Sequence, residues 1–198
     1  MNMSFVNMAT VLGGVAILAA SGAEAQQQVA PAPGAALPGV CVYSENVVVS
    51  SSSAGVAAAA RLSQLQQSVA GQLNATRNQI DADNKALGPQ KATLPAAAYE
   101  QKVTALQQRA QDWNALAQTR NAQFTHTREL ALTQIANASV PLLNAAVAAH
   151  RCSIVIDRSS TYTSNATMDL TSEVVQKLNA SMPTITFDLA PPPPPAAK

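Results

Sequence analysis

Aromatic residues are scarce in this chain, at 4%: three Phe, three Tyr and one Trp. Large rings supply the most buried area per side chain, so closely packed helices are expected here rather than a thick globular core. Charge of neither sign dominates either, with 12 Lys+Arg against 11 Asp+Glu. A nucleic-acid partner is therefore not expected, because phosphate binding requires a concentrated basic face. There are two histidines, His126 and His150, and neither has a carboxylate or cysteine at metal-ligand spacing. The two cysteines do not form a C-x-x-C redox motif. Gly13-Gly14 belongs to an apolar run and cannot begin a phosphate loop. Asp81 and Asp83 fall on different faces of a helical pattern, and Ser50 to Ser53 has neither a glycine elbow nor a base nearby. No cofactor, metal or catalysis is expected.

Long hydrophobic runs are also missing. The apolar stretch Val11 to Ala20 covers about ten residues, too short for a bilayer core of about 30 Å. Ala23-Glu24-Ala25 places small residues at the positions a signal peptidase reads, so residues 1–25 read as a secretion signal cleaved after about Ala25. The positive start of that signal rests on the amino terminus alone. No later segment is expected to cross a membrane, and the mature protein is expected in an exported compartment. Residues 26–38 (QQQVAPAPGAALP) read as a flexible leader, and residues 183–198, ending in a run of five prolines, as a disordered tail.

What the chain does have is alanine, helical periodicity and two short β runs. Its apolar fraction is 47%, and alanine suits closely packed helices. From about Ala54, Leu62, Leu65, Val69, Leu73, Thr76, Ile80 and Leu87 recur at helical spacing, with one wider gap at Asp83. Gly88-Pro89, Thr93 and Pro95 interrupt the pattern. Val103, Leu106, Ala110, Trp113, Ala117, Arg120, Phe124, Thr127 and Ala131 then alternate by three and four, the period of a coiled-coil seam. Arg120 and Thr127 are its polar exceptions, where the helices are expected to part. Pro141 predicts a kink or restart, with Ser139 as N-cap of a last piece through Ala149.

Two such helices with a short break predict an antiparallel hairpin over about 54–149. Short strands flank it, at 39–43 (GVCVY) and within 152–163 (SIVID, then Thr161 to Thr163). A hairpin returns the chain to its starting point, so the strands meet at its root. Ser44 is predicted to cap a short helix over Glu45 to Ser50, and Thr171 a terminal helix over 171–179. The fold class is α+β, mostly α. Two or three short strands with open edges are marginal alone, so Val40, Val42, Ile154 and Ile156 are expected to pair with copies of the chain. Cys41 and Cys152 lie in or beside those strands. They either form a disulfide or sit as two small buried hydrophobes, and strand register decides.

The run GVCVYSENVVVSSSAGVAAAARL resembles the start of the Skp/OmpH family of periplasmic chaperones. VPLLNAAVAAHRCSIVIDRSSTYTSNATMDLTSEVVQKLN resembles that family's end, with Ile154-Val155-Ile156-Asp157-Arg158, Tyr162, Asp169-Leu170-Thr171 and Glu173-Val174 matching its closing motifs. The resemblance covers roughly Gly39 to Asn179, within an expected chaperone domain over 39–182. It implies a homotrimer with a central β body, helical tentacles around a cavity, and ATP-independent holding of unfolded outer-membrane proteins in the periplasm. Relatives are often strongly basic along the tentacles. Here 55–149 holds eight Lys/Arg and five Asp/Glu, so steering of clients and association with membrane surfaces are expected to be weak. The competing expectation is an exported structural or adaptor coiled coil that binds a folded envelope partner through the Arg120/Thr127 face or the proline tail.

Overall fold

The computed structural model describes residues 34–193. The signal 1–25, most of the leader and the last five residues lie outside that range. The elements are β1 (Val40–Tyr43), α1 (Glu45–Ser51), α2 (Ser53–Gln90), α3 (Ala96–Ala149), β2 (Ile154–Asp157) and α4 (Thr171–Ser181). At 1.5 Å per residue, α2 and α3 are ~57 and ~81 Å long.

The seam positions of both arms are buried or half-buried, from Leu62 to Leu87 on α2 and from Val103 to Ala131 on α3. Trp113 lies in this seam, donates its indole N–H to the Leu73 carbonyl at 2.9 Å and carries Arg77 over its ring. At the gap in the α2 pattern, Asp83 pairs with Arg109 across the hairpin. The arm α2 runs two residues past Gly88, through Pro89 to Gln90. In a last turn, proline removes only one helical bond and its φ suits the helix. Lys91 then bonds back to Gly88, and Thr93 and Leu94 to Gln90, which completes the turn.

The expected restart at Pro141 does not occur. Pro141 lies inside one continuous helix of 54 residues. Ser139 is not a cap: its hydroxyl donates to Ala136 and bonds the Tyr43 hydroxyl at 3.2 Å. An interior proline costs about 3 kcal/mol, and here buried contacts on both sides of it, Ile135 and Ala146 among them, hold the helix together. One window of α3 is apolar enough to cross a membrane by length and composition, contrary to the expectation from hydrophobic run length. No Lys, Arg, Asp or Glu occurs between Leu130 and Ala149. Residues of this stretch pack with β1, α1 and α4 in the root core: Cys41, Tyr43, Val48, Ala131, Ile135, Leu170, Val174 and Leu178.

The helix ends with Arg151 in the left-handed region, φ 53°. Arg151 bonds Ala148 and Cys152 bonds Val147, the paired closure usually built on glycine. The strands then meet as a parallel pair, Val40 opposite Ile154 and Val42 opposite Ile156. Parallel strands need a long crossover, and the whole hairpin is that crossover.

Three local expectations differ from the structure. Thr161–Thr163 is not a strand, because Asp157 accepts from the Ser159 amide and hydroxyl and turns the chain into a 3-10 turn over Arg158–Ser160. The third rung comes instead from Asp169–Leu170, where Leu170 N–H donates to Val42. Thr171 does not cap α4: its hydroxyl accepts from the Ser44 amide, while Asp169 accepts from the Thr171 amide. Ser44 does cap α1, accepting from Val47 at 3.3 Å. Finally, residues 183–190 are not a free tail but lie against the hairpin.

Candidate functional site

The root of the hairpin gathers the residues singled out in the sequence. Val40 and Val42 lie on β1, Ile154 and Ile156 directly opposite them on β2. Cys41 and Cys152 are joined as a disulfide with their Cα atoms 5.8 Å apart. The bond ties β1, which leads into the arms, to the residue that leaves α3.

Strand β1 is bonded on both sides, by β2 and by the Asp169–Leu170 rung. Strand β2 is the edge. Ile154 is 56% and Val155 39% exposed, so apolar side chains on both faces of this edge meet solvent. Such an edge is an open template for another chain.

Where α4 meets the end of α3, Glu173 accepts from Lys177 at 2.6 Å and lies 2.7 Å from His150 Nε2. The Lys177 bond first, then His150, hold the Glu173 carboxyl below the ordinary 4.5. Its folded value is thus depressed relative to the unfolded chain. The stabilisation is complete above the unfolded value and is lost as pH falls through the folded one. A Glu173→Gln protein should therefore melt slightly lower at neutral pH and show a shallower fall in melting temperature below about pH 4.5. Parallel melting curves for the two proteins across that range would remove the ion cluster from the account.

The arms supply a second surface. A groove of 390 Å³ between them is lined by Ile80, Asn84, Leu87, Tyr99, Val103 and Leu106, among others. Leu116, Leu130 and Val140 project from α3 into solvent. The lining is apolar and amide, with charged groups spaced along the helices rather than clustered.

Nearer the root, the polar exceptions of the seam have a use. Arg120 donates to the Gln123 side-chain carbonyl at 3.0 Å. Gln123 donates to the Ala190 carbonyl, and Thr127 accepts from the Ala190 amide. The face suggested for a folded partner thus carries the chain's own C-terminal segment. Two polar residues on an otherwise apolar seam were the only signal in the sequence for this contact. The pairing of His150 with Glu173, 23 residues later, left no signal there.

Two long paired arms on a small parallel base define a class of helical-hairpin proteins. Within that class the chain belongs to the OmpH-like family of outer membrane proteins, whose model matches residues 39–178. It is similar to a crystal structure from Caulobacter crescentus CB15 described as an OmpH-like outer membrane chaperone. That likeness has 34% identity and a TM-score of 0.78, and covers 82% of this chain and 96% of the other. No curated protein matches the chain. Membership in this family supports a chaperone role.

Proposed function

We propose that this protein is an ATP-independent periplasmic holdase that binds unfolded outer-membrane proteins and assembles as a homotrimer through its β root. The observation that carries the reading is the pair of long arms, half-buried along the seam and lined elsewhere by alanine, amides and isolated apolar side chains. Such a surface offers many weak contacts and no deep site, which favours keeping client segments apart over trapping or folding them. With eight cations against five anions over 55–149, shape and dispersion outweigh electrostatic capture.

Assembly is proposed to use the β2 edge, with Ile154 and Ile156 of each copy joining Val40 and Val42 in a shared β body. The test is light scattering from an unfolded outer-membrane protein diluted out of denaturant without ATP. The full chain should suppress most of the rise in scattering. Ile154→Lys with Val155→Lys should yield a folded monomer by size-exclusion light scattering, with most of the suppression lost. A wild-type protein that stays monomeric at micromolar concentration would remove the enclosing cavity from the mechanism. A wild-type protein that leaves scattering unchanged would sink the holdase reading itself.

A further inference from the structure

Residues 183–190 follow the region shared with the family, 39–178, and form a strap across both arms. The strap is neither helix nor strand, yet its burial alternates. Ile185, Phe187 and Leu189 turn inward, while Thr184, Thr186 and Asp188 face solvent. Ile185 is buried in the root core and Phe187 packs on it.

Most of the polar fixings reach the strap's backbone. Arg61 on α2 donates to the Phe187 carbonyl at 3.0 Å. Gln123 on α3 donates to the Ala190 carbonyl at 3.0 Å, and the Ala190 amide donates to Thr127 at 2.9 Å. The amide of Gln123 is oriented by Arg120, and the Thr127 hydroxyl in turn donates to the Gln123 carbonyl at 2.6 Å. One side-chain contact adds charge: Arg61 bonds the Asp188 carboxylate at 2.5 Å.

A site that holds backbone carbonyls and an amide while reading every second side chain recognises strand-like chain, not one particular sequence. Alternation of apolar and polar residues is also how a membrane β-barrel strand is written. We infer that the groove formed by Arg61, Gln123 and Thr127 is a binding site for segments of alternating apolar and polar residues with a carboxylate at one polar position, and that the strap is its resident competitor. The site itself stands on the strap's geometry; only the identification of its natural ligand with a client strand rests on the holdase reading. A client segment entering the groove would displace Ile185 and Phe187 and take over the backbone bonds now made by Phe187 and Ala190. The strap then sets a threshold, since the groove accepts a ligand only in the fraction of molecules whose strap is released.

The test is fluorescence polarisation of a labelled TITFDLA peptide with the full chain. Wild type should bind it weakly. Phe187→Ser should loosen the strap and tighten peptide binding at least about tenfold. Asp188→Lys places a cation beside Arg61 at a side chain that is 90% exposed, so it leaves the core intact and should tighten binding several-fold. Thr127→Val added to either variant should reverse the gain. Unchanged peptide affinity in Asp188→Lys and in folded Phe187→Ser, with native circular dichroism, would overturn the inference and leave a purely structural strap. The same proteins in the light-scattering assay separate the two readings. Suppression of aggregation without a gain in peptide affinity defeats this inference alone, whereas a gain without suppression defeats the holdase reading alone.

Discussion

Replacing Cys41 and Cys152 together with alanine should lower the unfolding free energy by about 3–5 kcal/mol. The bond spans 111 residues, the whole hairpin. In the chain-entropy model, a loop of about 100 residues held closed in the unfolded state contributes about 4.7 kcal/mol. For a domain of ordinary stability, about 5–15 kcal/mol, this is a third or more of the total. Alanine is chosen because Cys41 is buried, and a serine hydroxyl there would add its own desolvation cost. The measurement is the urea midpoint of the double variant against oxidised and reduced wild type. Reduction should reproduce most of the loss. A difference below about 1 kcal/mol would mean that the unfolded chain already keeps the two ends together. The effect should fall on the root first, because the bond fastens β1 to the exit of α3 and with them the edge proposed for assembly.

Gly55→Ala should be destabilising by at least about 3 kcal/mol, above the ordinary range for one added methyl group. A Cβ at Gly55 would stand 1.8 Å from the Val49 carbonyl oxygen and 2.9 Å from its carbon. Both are backbone atoms of α1, so no side chain can turn aside. Relief requires α1 to move off α2. That movement would strain the Ser52 cap on the Gly55 amide and the bond from Ser53 N–H to Asn179, which ties in α4. Gly71 lies in the same helix with nothing within 4 Å of its added Cβ. There alanine should stabilise by about 1 kcal/mol, through helix propensity alone. Opposite signs for two Gly→Ala changes in one helix would be read directly from thermal melts. Equal signs would show that α1 does not press on α2 at this point.

Much of this architecture was legible because it rests on periodicity and punctuation. The two seams follow from the spacing of Leu62 to Leu87 and of Val103 to Ala131, since positions three and four apart share a helix face wherever the helix is placed. The turn between the arms follows from Gly88-Pro89 and Pro95. The meeting of GVCVY with SIVID follows because a hairpin brings back whatever flanks it. The closing motifs from Ile154 to Val174 carried the family.

Other features depended on partners distant in sequence. Pro141 is a breaker by local rules, but Ile135 and Ala146 on either side of it are fixed in the root core. Thr171 has the chemistry of a cap, but the Ser44 amide, 127 residues earlier, takes its hydroxyl. Tyr162 sits in a β-like run, yet Asp157 turns the chain before a strand can form, and the rung passes to Asp169.

The sequence by itself thus determined the arms, the turn, the two strands that must meet and the chaperone family, because each is encoded in local order. Tertiary structure decided three things. The strands run parallel, with β1 central and β2 at the edge, which a two-residue period cannot specify. Cys41 and Cys152 are bonded, since the pairing brings their Cα atoms to 5.8 Å. And the segment before the proline run is a seated strap, because Arg61, Gln123 and Thr127 converge on it only once α2 and α3 lie side by side.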